Sequence, residues 1–584
     1  MRWSSRRLAI VVMLLASVLW TAGCVTVPTS GPIEVVEGQQ PPCQNCVNVE
    51  VAPPSPGDKP RQIVEGFLRA TSYYQPNYSV AKQFLTPMAA EKWSAESGVS
   101  IYQGSLKSTV REDVVKLSGK LVGSMEKDRT YTVRNGILDR DFGLVQDEHG
   151  EWRIDTAPAG LWVSKDSFKF FYQSYDLYFV GNNRSLVPDP IYLPALGNPA
   201  NVASVLIKAL LNGPSAWLKP AVSTAIPTNT SLSVDSVTIT DGIAEVPLNE
   251  SIQALPDAQR SLLAAQIAFT VKQVGGVKGV VIKVNQQPYR VPGADPNSQV
   301  ISVDTISGDL NPIPSVAGEQ AYAVKPGAVE QVNPSTDPPS SNPVPGPFGR
   351  MSDPANEVAV SVTNTDLAIT THGRTMLRRT SMMPEAVTST ILAGATELLR
   401  PQFTRYGEIW EIGKQGGRQR MWMFSADHKK QEITSPVLRD VTAFRISPDG
   451  ARMALVRRTA KGSELGLARI IRSGQVTVDA WRALDTQQTT TPITQPADVA
   501  WLDPTELLVL GRTEQGTAVF RVAQDASVAS KRGEVQNVDA RELAVSPQTQ
   551  SVVVLGRTGT TWKDDGNQWQ PFLTGKFSAI AYPG

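Results

Sequence analysis

The stretch VTAFRISPDGARMALVRR, residues 441–458, has a plan that the C-terminal part of the chain repeats. A short apolar run leads into Ser-Pro, and a second apolar run then ends in arginine. The plan recurs in PADVAWLDPTELLVLGR from Pro496 and in ARELAVSPQTQSVVVLGRT from Ala540. Because proline fixes φ and cannot donate a ladder hydrogen bond, each copy is typical of two strands joined by a turn.

Weaker copies begin at Glu357 (EVAVSVTNTDLAITTHGR) and Arg400 (RPQFTRYGEIWEIGK). The better copies start roughly 45 to 55 residues apart, close to the length of a four-stranded propeller blade. FSAIAYPG, residues 577–584, resembles a copy that stops after its first strand, as expected where the two ends of a propeller share one blade. We therefore predict an all-β propeller of five or six blades over residues 351–584, with a β-sandwich as the alternative.

The segment before these repeats, KPGAVEQVNPSTDPPSSNPVPGPFGR, covers residues 325–350 and is rich in proline and serine. This composition is typical of semi-rigid spacers. We predict a Pro-rich linker there.

Residues 168–293 predict an α+β domain. YDLYFVGNNRSLVPDPIYLP (175–194) predicts two strands around a polar turn, and NPANVASVLIKALLNGPS (198–215) predicts an amphipathic helix. DSVTITDGIAEVPL (235–248) predicts a hairpin, because Asp-Gly suits the positive φ angles of a tight turn. Together these motifs resemble the GerMN domain of bacterial envelope and sporulation proteins. The resemblance implies an interaction or assembly module without catalytic residues.

Residues 61–165 predict another α+β domain, with helices before strands. Ile63, Val64, Phe67 and Leu68 share one helical face. Alternating stretches follow in DVVKLSGKLVG, RTYTVRNGILD and GEWRIDTAP. This order resembles a cone-shaped NTF2-like domain, and no motif in it indicates a ligand pocket. The predicted fold class is therefore multidomain: two α+β domains, NTF2-like and then GerMN, followed by the propeller.

The N-terminus predicts export. Arg2, Arg6 and Arg7 precede an apolar run of about a dozen residues, too short to cross a bilayer comfortably, and TAGC follows at 21–24. TAGC resembles the lipobox of bacterial lipoproteins. The resemblance implies a signal peptide over 1–23 and a Cys24 that carries S-diacylglycerol and N-palmitoyl groups. It also implies a cell-membrane protein anchored on the extracytoplasmic face. A retained anchor helix is the alternative.

Residues 24–60 are rich in proline, glycine and glutamine and predict an extended tether. Cys43 and Cys46 lie within it as C-x-x-C. A redox pair or half of a zinc site would have the same spacing, but no second pair is present in the sequence. A local disulfide between Cys43 and Cys46 is the preferred interpretation.

Motifs for chemistry are scarce. The chain has three histidines and none lies in H-E-x-x-H, while Ser124-x-x-Lys127 lacks the accompanying motifs of serine acylases. A net charge of +1 with no basic block gives no indication of nucleic-acid binding. We predict no catalytic residue, metal or cofactor.

The order of lipobox, tether, NTF2-like domain, GerMN domain and propeller resembles the LpqB family of actinobacterial lipoproteins. That resemblance implies a non-enzymatic protein that binds the extracytoplasmic domain of the sensor kinase MtrB and modulates two-component signalling in envelope and division control. A cell-wall glycan-binding or cell-wall-acting protein and a structural envelope assembly factor are the alternatives.

Overall fold

The computed structural model describes residues 51–584 apart from 183–184, 303–309, 319, 335, 337, 487–491, 514–515, 536–537 and 567. The predicted signal peptide, Cys24, Cys43 and Cys46 lie outside the described residues.

Three helices precede a mixed sheet in the first domain. The helices are α1 (Pro60–Ser72), α2 (Ser79–Gln83) and α3 (Pro87–Lys92). The strands are β1 (Val99–Arg111), β2 (Val114–Met125), β3 (Tyr131–Gln146), β4 (Trp152–Thr156) and β5 (Leu161–Ser164). They pair in the order β4-β3-β2-β1-β5, and only β5 runs parallel to its neighbour. The predicted helical face of Ile63, Val64, Phe67 and Leu68 is buried, as expected for an amphipathic helix on a sheet.

Helix α1 begins at a proline, which has no backbone N–H to leave unsatisfied at a helix start. The preceding Lys59 backbone N–H donates to the Gln62 side chain at 2.8 Å. The predicted tether is wrong for its last part, because Val51 is buried in the first domain and the Gly57 N–H donates to the Glu151 carboxylate at 2.8 Å. Strand β1 was not predicted, since its outer half is polar and exposed.

The second domain has three helices, of which the second and third share one core with a small sheet. Its elements are α4 (Lys165–Phe171), β6 (Tyr172–Val180), β7 (Leu186–Pro194), α5 (Pro199–Leu211), β8 (Thr238–Thr240), β9 (Ile243–Leu248), α6 (Asp257–Val271), β10 (Gly279–Val284), β11 (Gln287–Pro288) and β12 (Ile301–Ser302). The sheet order is β11-β10-β9-β8 with β12 on β10, and β6–β7 forms a separate hairpin. Asp241 (φ 52°) and Gly242 (φ 83°) form the predicted tight turn.

The C-terminal part folds into six four-stranded sheets within the described residues, and these are blades 1–6. Blade 1 has β13 (Tyr322–Lys325), β14 (Ala328–Asn333), β15 (Ser340–Pro343) and β36 (Ala579–Ala581). Blade 2 has β16 (Ala355–Val360), β17 (Asp366–Thr371), β18 (Met376–Ser381) and β19 (Ser389–Leu392), and blade 3 has β20 (Gln402–Phe403), β21 (Ile409–Gln415), β22 (Arg418–Phe424) and β23 (Lys430–Ile433). Blade 4 has β24 (Val441–Ile446), β25 (Arg452–Thr459), β26 (Gly462–Ile471) and β27 (Thr477–Leu484). Blade 5 has β28 (Gln495–Trp501), β29 (Glu506–Thr513), β30 (Gly516–Ala523) and β31 (Ala529–Glu534), and blade 6 has β32 (Ala540–Val545), β33 (Val552–Gly556), β34 (Thr561–Asp564) and β35 (Trp569–Pro571).

Each of the five sequence copies supplies the first two strands of one blade. The turn between β24 and β25 shows what Ser-Pro-Asp does in the copy that begins at Val441. The Asp449 carboxylate accepts from the Ser447 hydroxyl at 2.7 Å and from the Ala451 N–H at 2.9 Å. The Arg452 N–H in turn donates to the Ser447 hydroxyl at 3.0 Å. The two polar side chains therefore satisfy the backbone of a tight turn.

Strands from the two sides of the repeat array close the propeller, as predicted. Strand β36 pairs antiparallel with β13, with Ile580 opposite Ala323. Blade 1 therefore takes its innermost strand from the C-terminal side of the array and its outer three from the other side.

The predicted linker over 325–350 is wrong, because this segment contains β14 and β15 of blade 1. Its prolines lie where a sheet tolerates them: Pro326-Gly327 turns between β13 and β14, and Pro343 ends the edge strand β15. Val329 and Val332 are buried core residues, but the many prolines of this segment obscure the apolar alternation that would predict a strand. The propeller accordingly begins with β13, before residue 351.

Candidate partner-binding site

Ser124 of the Ser124-x-x-Lys127 stretch and two acidic residues, Asp139 and Asp427, are held in ordinary polar contacts of strands and turns. The Ser124 hydroxyl accepts from the Arg134 guanidinium at 2.9 Å on the hairpin of β2 and β3. Asp139 pairs with Lys116 at 3.0 Å. Asp427, beside His428, is held by Ser425 and Lys429 in the turn before β23. None of the described residues forms a group of three side chains suited to a metal ion.

No helix in the described part of the chain is both long enough and apolar enough to span a membrane.

The two faces of the propeller differ. Because successive strands alternate in direction, the turns that join the first strand to the second and the third to the fourth lie on one face, which we call the docked face. The turns between second and third strands and the connections between blades lie on the other, the free face. Among the described residues, hydrogen bonds from the other two domains reach the docked face and the outer strands of blade 4.

Arg452 is the central polar residue between the second domain and the propeller. Its side chain is 1% exposed and forms an ion pair with Asp449, which is fully buried. The guanidinium also donates to the backbone carbonyl of Pro188 at 2.9 Å and to the Gln524 side chain. Pro188 belongs to the SLVPDP stretch that the sequence singled out in the second domain. A buried guanidinium with this many acceptors fixes the orientation of the two domains.

Tyr192 joins all three domains. Its ring packs against Phe168, with 5.2 Å between ring centroids, and against Tyr131 of the first domain at 6.1 Å. Its hydroxyl donates to the Asp525 carboxylate of blade 5 at 2.9 Å. Burial, together with the negative charge of Asp525, raises the pKa of this hydroxyl well above its usual value. Tyr192 is therefore a neutral hydrogen-bond donor at any physiological pH.

A second contact lies at the outer edge of blade 4. The Trp217 indole N–H donates to the Ala480 carbonyl at 3.1 Å, and Arg469 donates to the Trp217 carbonyl at 2.6 Å. Arg482 of the same blade donates to the Tyr131 carbonyl of the first domain at 2.7 Å. The three domains thus form one body held at several separated points.

Acidic residues face one another in the cleft between β6 and blade 5. Asp176 lines this cleft with Asp503 and Asp525. Burial, with the charge of Asp503 adding to it, raises the pKa of Asp176 to about 7, and Arg452 acts in the opposite direction. The carboxyl group therefore opposes folding once it ionises.

Replacing Asp176 with asparagine is expected to stabilise the protein at pH 8. Because the folded-state pKa is raised, the favourable contribution of the protonated group is complete below about pH 4 and is lost as the pH rises to about 7. The variant should gain roughly 2–4 kcal/mol over the parent at pH 8, since each pKa unit corresponds to about 1.4 kcal/mol. Urea unfolding at pH 5 and pH 8 measures this, and an equal difference at both values would contradict it.

Charged side chains also fill the axial channel, where the six innermost strands meet. Arg400, 8% exposed, lies 2.8 Å from the Glu542 carboxylate, 3.6 Å from Asp498 and 3.8 Å from Glu357. Burial opposes the charge of Arg400, but the three carboxylates outweigh it and raise the pKa of the guanidinium. Arg445 approaches Asp498 at 3.3 Å, and burial together with the charge of Arg400 lowers its pKa to about 10. The channel is therefore closed by paired charges rather than by apolar side chains.

The connection from the second domain crosses the docked mouth of this channel. Arg405 donates to the Asn311 carbonyl at 2.8 Å, and the Val316 N–H donates to the Gln548 side chain at 2.9 Å. A cavity lies at this mouth of the channel, and its lining includes Ile313, Pro314 and Val316 of the connection and Tyr582 and Pro583. A partner that reaches the docked face would have to displace these contacts.

The free face is basic. Six exposed cations there have no ion pair within the part of the chain that the structure describes: Arg350, Arg418, Arg439, Arg458, Lys461 and Lys576. Other exposed arginines of this face are partly neutralised, since Arg512 and Arg557 both pair with Asp539. Arg458, Arg512 and Arg557 are the arginines that end the repeat copies, a signal visible in the sequence but not interpreted there. Trp410, Trp422 and Trp501 are at most 3% exposed and pack within the blades, so these three rings are not available on the propeller surface.

Comparison with known proteins identifies the domains. The family model for the N-terminal domain of lipoprotein LpqB matches residues 53–169, and the model for the LpqB beta-propeller domain matches 335–581. A model described as sporulation and spore germination matches residues 176–290. The structure of TolB from Acinetobacter baumannii is 14% identical and covers 56% of this chain and 86% of its own, with a TM-score of 0.35, which carries no argument about function.

Full-length relatives have the same name as the two models. Lipoprotein LpqB from Cutibacterium acnes is 27% identical over 98% of both chains, and that from Thermobifida fusca is 24% identical over 99% of both. The fold defines a class of multidomain protein in which two small α+β domains dock on one face of a six-bladed propeller. Within that class, the chain belongs to the lipoprotein LpqB family.

Proposed function

We propose that this protein is a non-enzymatic lipoprotein, anchored through Cys24 on the extracytoplasmic face of the cell membrane, which binds the sensor domain of an MtrB-like histidine kinase. The observation that supports this most is that the three domains form one fixed body and leave a basic face of the propeller free. A membrane anchor confines binder and kinase to two dimensions, which raises their effective concentration without new contacts.

The free face is the part of the propeller that binds the kinase in this proposal. It carries unpaired cations, and contacts from the other domains reach the docked face instead. Binding changes signalling only if the lipoprotein prefers one conformation of the kinase over another. The kinase surface that it contacts is expected to be acidic.

The test is kinase autophosphorylation in liposomes that contain the kinase with or without the lipidated protein. We expect the rate to change on addition of the lipoprotein, and Arg458→Glu combined with Lys461→Glu to weaken binding at least tenfold. The matched control is Arg111→Glu with Arg140→Glu, which reverses two exposed charges on the first domain and should leave binding unchanged. An unchanged rate with the parent protein would disprove the regulatory function.

The anchor has a separate test. Cys24→Ala should leave the folded domains intact and move the protein from the membrane fraction to the soluble fraction, because the acyl chains are lost. Cell fractionation measures this distribution. Retention in the membrane would show that the N-terminal segment is an uncleaved anchor helix.

A further inference from the structure

A cleft of about 640 Å³ lies between the first and second domains, and no propeller residue is among those that line it. Its volume falls within the range of small-ligand sites, roughly 300–1,000 Å³. Tyr74 and Tyr78 line one side, with 6.0 Å between their ring centroids, and Tyr172 lines another, stacked on Phe168 at 5.0 Å. The cleft therefore offers several aromatic rings beside polar groups.

Arg129 supplies the positive charge in this cleft. Both backbone polar groups of Arg129 are hydrogen-bonded: its N–H donates to the Glu126 carbonyl at 2.9 Å, and its carbonyl accepts from the Tyr192 N–H at 3.0 Å. Its half-buried guanidinium forms no hydrogen bond or ion pair among the described residues. Two other cations that line the cleft differ from Arg129, since Lys208 is paired with Asp235 at 2.7 Å and Lys127 is exposed. Backbone hydrogen bonds thus hold Arg129 in place, while its guanidinium has no carboxylate partner among the described residues.

The hydroxyl groups of Tyr78 and Tyr172 also have no hydrogen-bond partner among the described residues. Burial raises the pKa of both hydroxyls, and the charge of Arg129 acts on both in the opposite direction, which places the guanidinium within electrostatic range of the two. The hydroxyl groups of Tyr78 and Tyr172 and the guanidinium of Arg129 therefore line the same cleft and could donate hydrogen bonds to one ligand.

The backbone is strained where two of these donors are held. Tyr78 has φ 48° and Arg129 has φ 65°, in the left-handed region that bulky side chains rarely adopt. Such strain persists where the surrounding structure requires a side chain in one position, often at ligand sites.

We propose that this cleft binds a saccharide that bears one acidic group, with the tyrosine rings against the sugar and Arg129 on the carboxylate. Aromatic rings suit the apolar face of a sugar, and a guanidinium forms charge-assisted hydrogen bonds to a carboxylate. Glu126 is engaged by Arg134 at 3.1 Å, while Glu96 at the rim has no ion pair in the described chain. Within the described chain, the unpaired charged residues of the cleft are Lys127, Arg129 and Glu96, and their net charge is +1. This charge suits a ligand with one acidic group rather than a polyanion. This site goes beyond the proposed kinase contact and shares no residue with it.

The test uses the full lipidated chain in detergent micelles and two probes, N-acetylmuramic acid and N-acetylglucosamine, which differ by one carboxylate-bearing substituent. Isothermal titration calorimetry and saturation-transfer NMR measure the binding. We expect N-acetylmuramic acid to bind at least tenfold more tightly, as a charge-assisted hydrogen bond is worth about 10- to 100-fold.

Two variants locate the site. Arg129→Met should abolish the preference for the acidic sugar, and Tyr172→Phe should weaken both sugars by about threefold while the fold, checked by circular dichroism, is retained. Arg111→Met, an exposed arginine on β1 outside the cleft, is the matched control and should bind like the parent. Binding of neither sugar, equal binding of both, or an unchanged Arg129→Met variant would each overturn the proposal.

Discussion

Replacing Arg400 with methionine should lower the free energy of unfolding of the propeller by about 3–5 kcal/mol, the usual cost of removing one partner from a buried ion pair. Methionine keeps much of the side-chain volume, so the loss is electrostatic. The change leaves Glu542, which lies 2.8 Å from Arg400, with a weaker partner in Arg541 at 3.3 Å. Thermal unfolding should show a decrease in Tm of about 10 °C for a domain of this size.

The loss should depend on pH in a direction that distinguishes charge from packing. Burial raises the pKa of the Glu357 carboxyl to about 7, and the charge of Arg400 acts against that rise, so without Arg400 the folded-state pKa of Glu357 rises further. A carboxyl with a raised folded-state pKa stabilises the fold at low pH and loses that contribution as the pH rises. The variant should therefore be closer to the parent at pH 5 than at pH 8.

A surface arginine provides the control for this result. Arg512→Met removes an exposed pair with Asp539, 3.7 Å apart, and should cost less than about 1 kcal/mol at either pH. A loss for Arg400→Met that is small, or the same at pH 5 and pH 8, would mean that the channel charges are not coupled through this residue.

Local pattern was sufficient to predict most of the fold. The repeat copies at Val441, Pro496 and Ala540 predicted blades because apolar strands and Ser-Pro or Asp-Pro turns are encoded within about 18 residues. The Asp241-Gly242 hairpin was predicted for the same reason. The outer three strands of blade 1 were missed because prolines at their ends hide the apolar pattern, whereas the inner strand β36 was predicted from FSAIAYPG.

The candidate site was less predictable because several of its hydrogen-bond acceptors are backbone carbonyls, which the identity of a residue does not reveal. Arg452 is paired with a neighbouring aspartate but also with the backbone carbonyl of Pro188, and any residue supplies a carbonyl. Arg129 likewise occupies its position because of a positive φ angle and not because of a motif. The arginines that end the repeat copies were visible in the sequence. Their assignment to one face required the strand directions of the folded propeller.

Replacing Arg452 with methionine should separate the second domain from the propeller while both stay folded. The variant loses the 2.9 Å hydrogen bond to the Pro188 carbonyl and leaves Asp449 without its buried counter-charge. We expect a cost of about 3–5 kcal/mol, since the Asp449 carboxylate keeps only its turn contacts to Ser447 and Ala451. Calorimetry should then resolve separate unfolding transitions in place of a joint one, because inter-domain coupling is lost.

The position of that loss can be measured directly. Hydrogen exchange should rise at residues 185–190 and in the turn before β25, while the strands of blade 1 stay protected. Arg458→Met lies in the same blade on the free face, has no ion pair within the described chain, and should leave both measurements unchanged. If Arg452→Met still unfolds in one transition with unchanged exchange at 185–190, then Tyr192, Trp217 and the apolar contact of Val187, Leu218 and Ala451 are sufficient to hold the domains together. If the domains do separate, the same variant should also weaken kinase regulation in liposomes, because the propeller would no longer be presented at a fixed orientation to the membrane anchor.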